Sequence, residues 1–210
     1  MEKLVKNFYK NKKILITGAT GFKGAWLSYW LHILEAKVVG IGRKPNKNDN
    51  LFKQLDLKKK INIKYFDIRE KKKLEKVIKN FKPSIIFHLA AQPIISEGYK
   101  KPEETIMVNS IGTLNIVEIC RNLKFVKSIV CVTSDKCYQN NFSIRGFKED
   151  DKLGGSDPYS ASKANAEIIV KSYLESFYYD KKIGLATGRA GNVIGGGDWS
   201  PNRLIPDCIK

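Results

Sequence analysis

Thr17-Gly18-Ala19-Thr20-Gly21-Phe22-Lys23-Gly24 is the stretch whose reading decides the fold. It follows an apolar run, Ile14-Leu15-Ile16, and opens a segment that carries Trp26, Leu27, Trp30 and Leu34 at helical spacing. Glycine permits a tight turn and lets backbone come close to a bound group. The helix that follows offers unpaired N–H groups and a positive dipole end. Together these make a cradle for a pyrophosphate, and a glycine pattern set between strand and helix is the context that gives it meaning. Gly18, Thr20, Gly21, Phe22 and Gly24 are therefore candidate contacts to a dinucleotide.

Outward from the turn, strand and helix alternate. The apolar pattern predicts strands over 13–17, 37–42, 61–66, 84–89, 126–133 and 183–189. Between them it predicts helices over 22–36, 70–80, 103–122 and 159–179. In the helix over 70–80, Leu74, Val77 and Ile78 face inward. Residues 43–58, with Pro45, Asn46, Asn48 and Asn50, read as a loop with a short helical turn, and 201–210 as the start of another helix. This rhythm predicts an α/β fold, a doubly wound parallel sheet of the Rossmann type, over residues 1–190. Residues 191–210 are expected to begin a second lobe that is largely missing, which would leave apolar surface uncovered.

Composition narrows the class. The chain has 210 residues, 42% hydrophobic and 28% charged, with 38 basic against 21 acidic side chains and a net charge of +17. The excess is nearly all lysine and is spread along the chain. A nucleic-acid surface concentrates arginine and interleaves aromatics, so nucleic acid is not the expected partner. No run approaches the roughly 20 apolar residues of a membrane span, and the first residues lack a signal-peptide core, so the expected location is the cytoplasm and no membrane partner is expected. Cys120, Cys131, Cys137 and Cys208 show no C-x-x-C spacing, and only His32 and His88 could join them, so no metal is expected and the thiols read as free.

The chemistry gathers further along. Tyr159 and Lys163 stand at i and i+4 of a predicted helix and share a face. A tyrosine with an ordinary pKa near 10 is a poor base, and an adjacent ammonium favours its phenolate. Ser134-Asp135-Lys136 ends the fifth predicted strand, the edge where open α/β sheets place their reacting groups.

With the G-x-x-G-x-x-G spacing, these motifs resemble the extended short-chain dehydrogenases that modify nucleotide sugars. Ser134-Asp135-Lys136-Cys137-Tyr138 is similar to the CDP-glucose 4,6-dehydratase family, in which lysine stands where the dTDP-glucose enzymes carry glutamate. Leu153-Gly-Gly-Ser-Asp-Pro-Tyr159, Arg189-Ala-Gly-Asn-Val-Ile-Gly-Gly-Gly-Asp-Trp199 and Arg203-Leu-Ile-Pro-Asp207 resemble the same family, and the resemblance covers nearly the whole chain. It implies a nucleotide-sugar substrate and NAD as cofactor. Gly42-Arg43-Lys44 replaces the acidic residue of NAD-preferring folds, so NADP stays open, with Arg43 a candidate contact. Asp67 and Ile68 would meet the adenine, and Ala90, Ala91 and Gln92 would run along the cofactor, with Asn109 near the nicotinamide. Gln92, Ser134, Asn192 and Arg203 would face the substrate.

The implied reaction oxidises the sugar at C4 with Tyr159 as base, removes water across C5 and C6 with Lys136 as base and Asp135 as acid, and reduces C6. Lys136 must then present a neutral amine. The family's chains continue past Lys210, so an inactive fragment is expected, and homodimerisation through the helices 103–122 and 159–179. Other nucleotide-sugar dehydratases, an epimerase, and a non-catalytic NAD(P)-sensing protein remain alternatives.

Overall fold

Parallel pairing organises the chain. The structure, a computed structural model, describes residues 2–45, 50–140, 144–200 and 202–209. Asn46, Asn48, Pro201 and Lys210, which enter the loop and helix expectations above, lie outside the described residues. The strands are β1 (Lys13–Thr17), β2 (Lys37–Gly42), β3 (Asn62–Tyr65), β4 (Ile85–His88), β5 (Ser128–Val132) and β6 (Gly184–Gly188). They form one six-stranded sheet in the order β3-β2-β1-β4-β5-β6, with every pair parallel. The order reverses between β1 and β4, so a crevice opens beyond their carboxyl ends, at the Gly18 turn.

The helices are α1 (Glu2–Tyr9), α2 (Phe22–Ile33), α3 (Asn50–Gln54), α4 (Leu57–Lys60), α5 (Lys71–Phe81) and α6 (Ile95–Lys100). Next comes α7 (Pro102–Ile106), which runs through a π-helical stretch (Met107–Ile111) into α8 (Gly112–Cys120). Then follow α9 (Pro158–Tyr173), which widens into a second π-helical stretch (Leu174–Tyr178), and α10 (Leu204–Ile209). Both faces of the sheet are covered. Leu15, Ile86 and Ile129 join Leu74, Ile78, Ile116 and Val170 on one side. Ile14, Ile16 and Val38 join Leu31 and Leu34 on the other. Successive strand residues point to opposite faces, so both sets in β1 must be apolar, and this is why the run carries no polar alternation.

The structure departs from the periodicity in specific places. The Val5 and Tyr9 side chains of α1 pack on the core from a segment whose lysines hide the pattern. Gly98 lies within the six-residue helix α6, where a Cβ would come 3.3 Å from the Cβ of Tyr159, a tight contact. Trp26 and Trp30 face outward, at 43% and 47% exposure, while Gly24, Ala25, Ser28 and Leu31 are buried, Leu31 against the strands and Ala25 against Leu51, Phe52 and Leu57. Small residues let α2 lie close to the strands, so the tryptophans are left outside. Cys120, Cys131 and Cys137 are buried free thiols, as expected, but Cys208 is exposed.

Candidate active site

The turn after β1 is shaped by what its glycines lack. Gly18 holds φ at +73°, and a Cβ on it would lie 2.7 Å from the Ala90 nitrogen of the neighbouring β4 exit. At Gly24 a Cβ would come within 2.0 Å of the Gly18 carbonyl oxygen, so α2 starts in contact with the turn it follows. The Ala19 amide donates to the Ile41 carbonyl oxygen at 3.1 Å and the Gly21 amide to that of Gly18 at 3.0 Å. The first amides of α2 remain for a ligand. Gly18, Thr20, Gly21, Phe22 and Gly24 line one wall of a cleft of about 720 Å³. Arg43, Asp67 and Ile68, which follow β2 and β3, line the same cleft, as do Ala90, Ala91 and Gln92 beyond β4. A glycine cradle that any side chain would fill, opening on a cleft of this size, fits a nicotinamide dinucleotide.

Asp67 is held locally. Both of its oxygens accept from the Arg69 guanidinium at 2.9 Å, and Oδ1 also accepts from the Arg69 amide. The Arg69 bond, with the charge of Arg43 beyond it, keeps this carboxyl below its usual value despite partial burial.

Ser134, Asp135 and Lys136 sit where β5 ends. Ser134 caps a short 3-10 turn (Asp135–Cys137): its hydroxyl accepts from the Lys136 amide at 3.3 Å and donates to Asp135 Oδ1 at 2.9 Å. Lys136 Nζ pairs with the same Oδ1 at 3.4 Å. The Asp157 carboxylate caps α9 by accepting from the Tyr159 and Ser160 amides, which sets the register of Tyr159 and Lys163 on the buried side of the helix. Burial raises the Tyr159 phenol above its usual range, against a hydrogen bond with Ser134 and the charge of Arg203, which pull it down. Lys163 donates to the Val132 carbonyl oxygen at 3.3 Å. Burial, and after it the positive charge of Lys23, pulls its ammonium down to about 8. Ser134, Tyr159 and Lys163 thus come together, with the cations of the phosphate turn and Arg203 close enough to be felt.

Other candidates are engaged differently. Asn109 lies in the π-helical stretch, where its amide accepts from the Gln92 amide (2.8 Å) and donates to the Gln92 carbonyl (3.1 Å) and to Ser162 Oγ (2.8 Å). The Gln92 side chain donates to Thr105 and accepts from the Ile94 amide. Both side chains therefore tie the β4 exit to α7 and α9, and Asn109 has no amide hydrogen left for a ligand. Asn192 is exposed and outside the cleft lining, whereas Arg203 lines the cleft with Nε 3.8 Å from Asp198. Among the described residues no group of His, Cys, Asp and Glu could hold a metal.

His88 shows how tightly this region is wired. Thr113 gives its one hydroxyl proton to the Asn109 carbonyl (2.7 Å), so at 3.1 Å from His88 Nε2 it must accept. Nε2 then carries the proton, bare Nδ1 accepts from Thr17 at 2.7 Å, and Thr17 accepts from the Ala90 amide. Full burial, then the Lys163 charge, depresses the imidazole to about 3 and keeps it neutral.

One network escaped the sequence reading. Glu167, buried on α9, accepts from Thr133, from Thr187 at 2.9 Å and from Arg189 at 3.0 Å. Arg189 also donates to Tyr138 (2.9 Å) and to the Glu149 carbonyl, and its guanidinium lies 4.8 Å over the Tyr138 ring. Two chemical signs were available, a glutamate on the helical face of Lys163 and an arginine ending an apolar strand.

A six-stranded parallel sheet with a glycine turn after its first strand and a Tyr-x-x-x-Lys helix defines a Rossmann-type α/β fold. The family described as GDP-mannose 4,6 dehydratase matches residues 15–198, and the chain belongs to it. A CDP-glucose 4,6-dehydratase of Salmonella typhimurium is 42% identical over 98% of this chain, and a dTDP-D-glucose 4,6-dehydratase of Dictyostelium discoideum is 32% identical over 95%. The chain spans 58% and 48% of their respective lengths. Among solved structures it is similar to the UDP-N-acetylglucosamine 4-epimerase of Methanobrevibacter ruminantium M1, in complex with UDP-N-acetylmuramic acid. That likeness has 26% identity and a TM-score of 0.78, covering 94% of this chain and 61% of the other.

Proposed function

We propose that the protein carrying this chain dehydrates CDP-glucose to CDP-4-keto-6-deoxyglucose, a step of deoxysugar biosynthesis. The observation that carries the reading is the Asp135–Lys136 pair, bonded to Ser134 at the end of β5. The likeness to a CDP-glucose 4,6-dehydratase supports the sugar and the base. A nicotinamide dinucleotide on the glycine turn supplies reversible hydride acceptance, so the reaction needs no net oxidant. Tyr159 takes the proton of the sugar 4-hydroxyl, with Ser134 bonded to the same oxygen. The resulting ketone acidifies C5–H. Lys136 takes that proton, Asp135 gives one to the 6-hydroxyl, and water leaves. Lys136 later returns its proton to C5.

Asp135 and Lys136 face each other across 3.4 Å, so the two groups that the dehydration step calls on stand side by side. The protein is further read as a cytoplasmic homodimer, in keeping with its free thiols and with Ile106, Met107, Ile168 and Phe177, large apolar residues exposed on the α7 and α9 helices and their π-helical extensions.

The test is turnover of CDP-glucose by the full-length protein, with mass spectrometry reading the loss of one water. Lys136→Ala should abolish that loss while C4 oxidation still reduces bound cofactor, seen as nicotinamide absorbance. Full turnover by this variant removes Lys136 from the mechanism. No product from CDP-glucose, with product from another nucleotide sugar, overturns the substrate assignment.

A further inference from the structure

Ser134, Asp135 and Lys136 follow β5 directly, so whatever holds the β5 exit sets where they stand. That exit is bonded to the residues at the end of β6. The Thr133 amide donates to the Gly188 carbonyl oxygen at 2.9 Å, and the Asp135 amide to that of Ala190 at 3.1 Å. Arg189 lies between these two acceptors, and its guanidinium meets Glu167 of α9 at 3.0 Å. Glu167 also accepts from the hydroxyl of Thr133, the residue before Ser134, and from that of Thr187, the residue before Gly188. One buried carboxylate therefore ties α9 to the exits of β5 and β6.

Glu167 stands one helical turn after Lys163, on the same buried face of α9. Lys163 donates to the carbonyl oxygen of Val132, the neighbour of Thr133. The helix thus grips β5 at two successive residues. Neither member of the ion pair is placed to meet a sugar: Glu167 is buried, and Arg189 spends its guanidinium on Glu167, the Tyr138 hydroxyl and the Glu149 carbonyl. The charge of Glu167 also reaches Lys163. Burial and Lys23 pull that ammonium down to about 8, and Cys131, Glu167 and Cys137 oppose them. Burial pushes the Cys131 and Cys137 thiols up to about 12 and about 11, so near neutral pH Glu167 is the anion of this set. His88, which faces Lys163 from β4, is neutral.

We propose that Glu167, braced by Arg189, is a positioning residue of the reaction read above: it fixes the β5 exit, and with it Ser134 and the Asp135–Lys136 pair, against the turn of α9 that carries Lys163. A tie bonded to the neighbours of the reacting residues passes any looseness on to them. Misplacement on the order of 1 Å costs about a hundredfold in rate.

The experiment uses the full-length protein with CDP-glucose. Glu167→Leu with Arg189→Met removes the ties and leaves no charge unanswered, so the fold is expected to hold. Its kcat should fall by about ten- to a hundredfold with KM nearly unchanged, because neither side chain meets the sugar. Amides over 133–137 should exchange hydrogen faster in it, while those of β1 keep wild-type protection. Glu167→Gln keeps an acceptor oxygen and loses the charge, so it should move the alkaline limb of kcat/KM to lower pH, the direction expected when an anion beside Lys163 is removed. A tie that served stability alone would change neither that limb nor the kcat of a folded double variant. Wild-type kcat in the folded double variant, or a limb that stays in place in Glu167→Gln, overturns the positioning role and leaves the reaction standing. If the double variant unfolds, the limb of Glu167→Gln decides alone. Absence of turnover by the wild-type protein overturns the reaction, and unchanged exchange over 133–137 in the double variant then overturns the positioning as well.

Discussion

The glycine turn, which lines the cleft, and the wall that carries Tyr159 and Lys163 are built in opposite ways. Between Thr17 and Gly24 the working atoms are backbone, and the design consists of side chains left out: a Cβ on Gly18 or Gly24 would collide with main chain. Around Tyr159 and Lys163 the working atoms are side chains. Asn109 reaches Ser162 across 53 positions, Thr133 reaches Glu167 across 34, and Tyr138 reaches Arg189 across 51. The difference teaches where each region is fragile. The turn breaks when an atom is added, and the wall breaks when one is taken away.

The wall should show the larger effect. Glu167→Ala strands Arg189, whose side chain is only 16% exposed, and leaves the Thr133 and Thr187 hydroxyls without their acceptor. Breaking one side of a buried ion pair costs about 3–5 kcal/mol, and that loss is expected in urea unfolding. Glu167→Gln, which keeps an acceptor oxygen, should lose less. Pairing Glu167→Leu with Arg189→Met should recover much of the stability, because no charge is then left unanswered. A loss below about 1 kcal/mol for Glu167→Ala would mean that water enters the network, and that the wall resembles a surface ion pair.

The turn should respond next, through one methyl group. Gly24→Ala forces the start of α2 away from Gly18, and overpacking of this kind costs about 1–3 kcal/mol. On the proposed dinucleotide reading, cofactor affinity should fall with it, because the amides that would meet a pyrophosphate belong to the displaced turn. Gly196→Ala is the matched control: a Cβ there meets nothing within 4 Å, and stability and affinity should both hold. Equal losses at the two sites, measured by thermal unfolding and by cofactor titration, would erase the claimed contrast.

The same contrast explains how far the sequence could be read. The turn was legible because its cause is local: glycines between an apolar strand and a helix permit few other readings. The six strands were legible because a strand buried on both faces must be apolar throughout, as in Ile14-Leu15-Ile16. Tyr159 and Lys163 showed themselves through a helical spacing that their shared burial explains. The parts that stayed hidden depend on distant partners. Asn109 read as a cofactor contact, and nothing in its spacing showed that Gln92 and Ser162 take both hydrogens of its amide. Gly98 concealed α6, and the side chain it lies tight against, Tyr159, is far along the chain. Glu167 and Arg189 each looked like one more charge in a chain rich in them.

Lys23 is where the two regions meet, and it gives the smallest and most diagnostic effect. It belongs to the phosphate turn, yet its charge is the second cause, after burial, that lowers Lys163 to about 8. Lys23 is itself lowered by burial and by Arg203, so like charges converge across the cleft. If Lys163 must be an ammonium to favour the Tyr159 phenolate, activity declines as pH rises through its pKa. The alkaline limb of kcat/KM should therefore lie near pH 8. Removing a neighbouring positive charge favours the protonated form, so Lys23→Ala should move that limb upward, by about half a pH unit to one unit, since burial, the larger cause, remains. Lys23→Arg keeps the charge and should leave the limb where it was. A limb that stays put in Lys23→Ala would mean that solvent screens the turn from the wall. The two regions would then be neighbours in the fold without sharing a field.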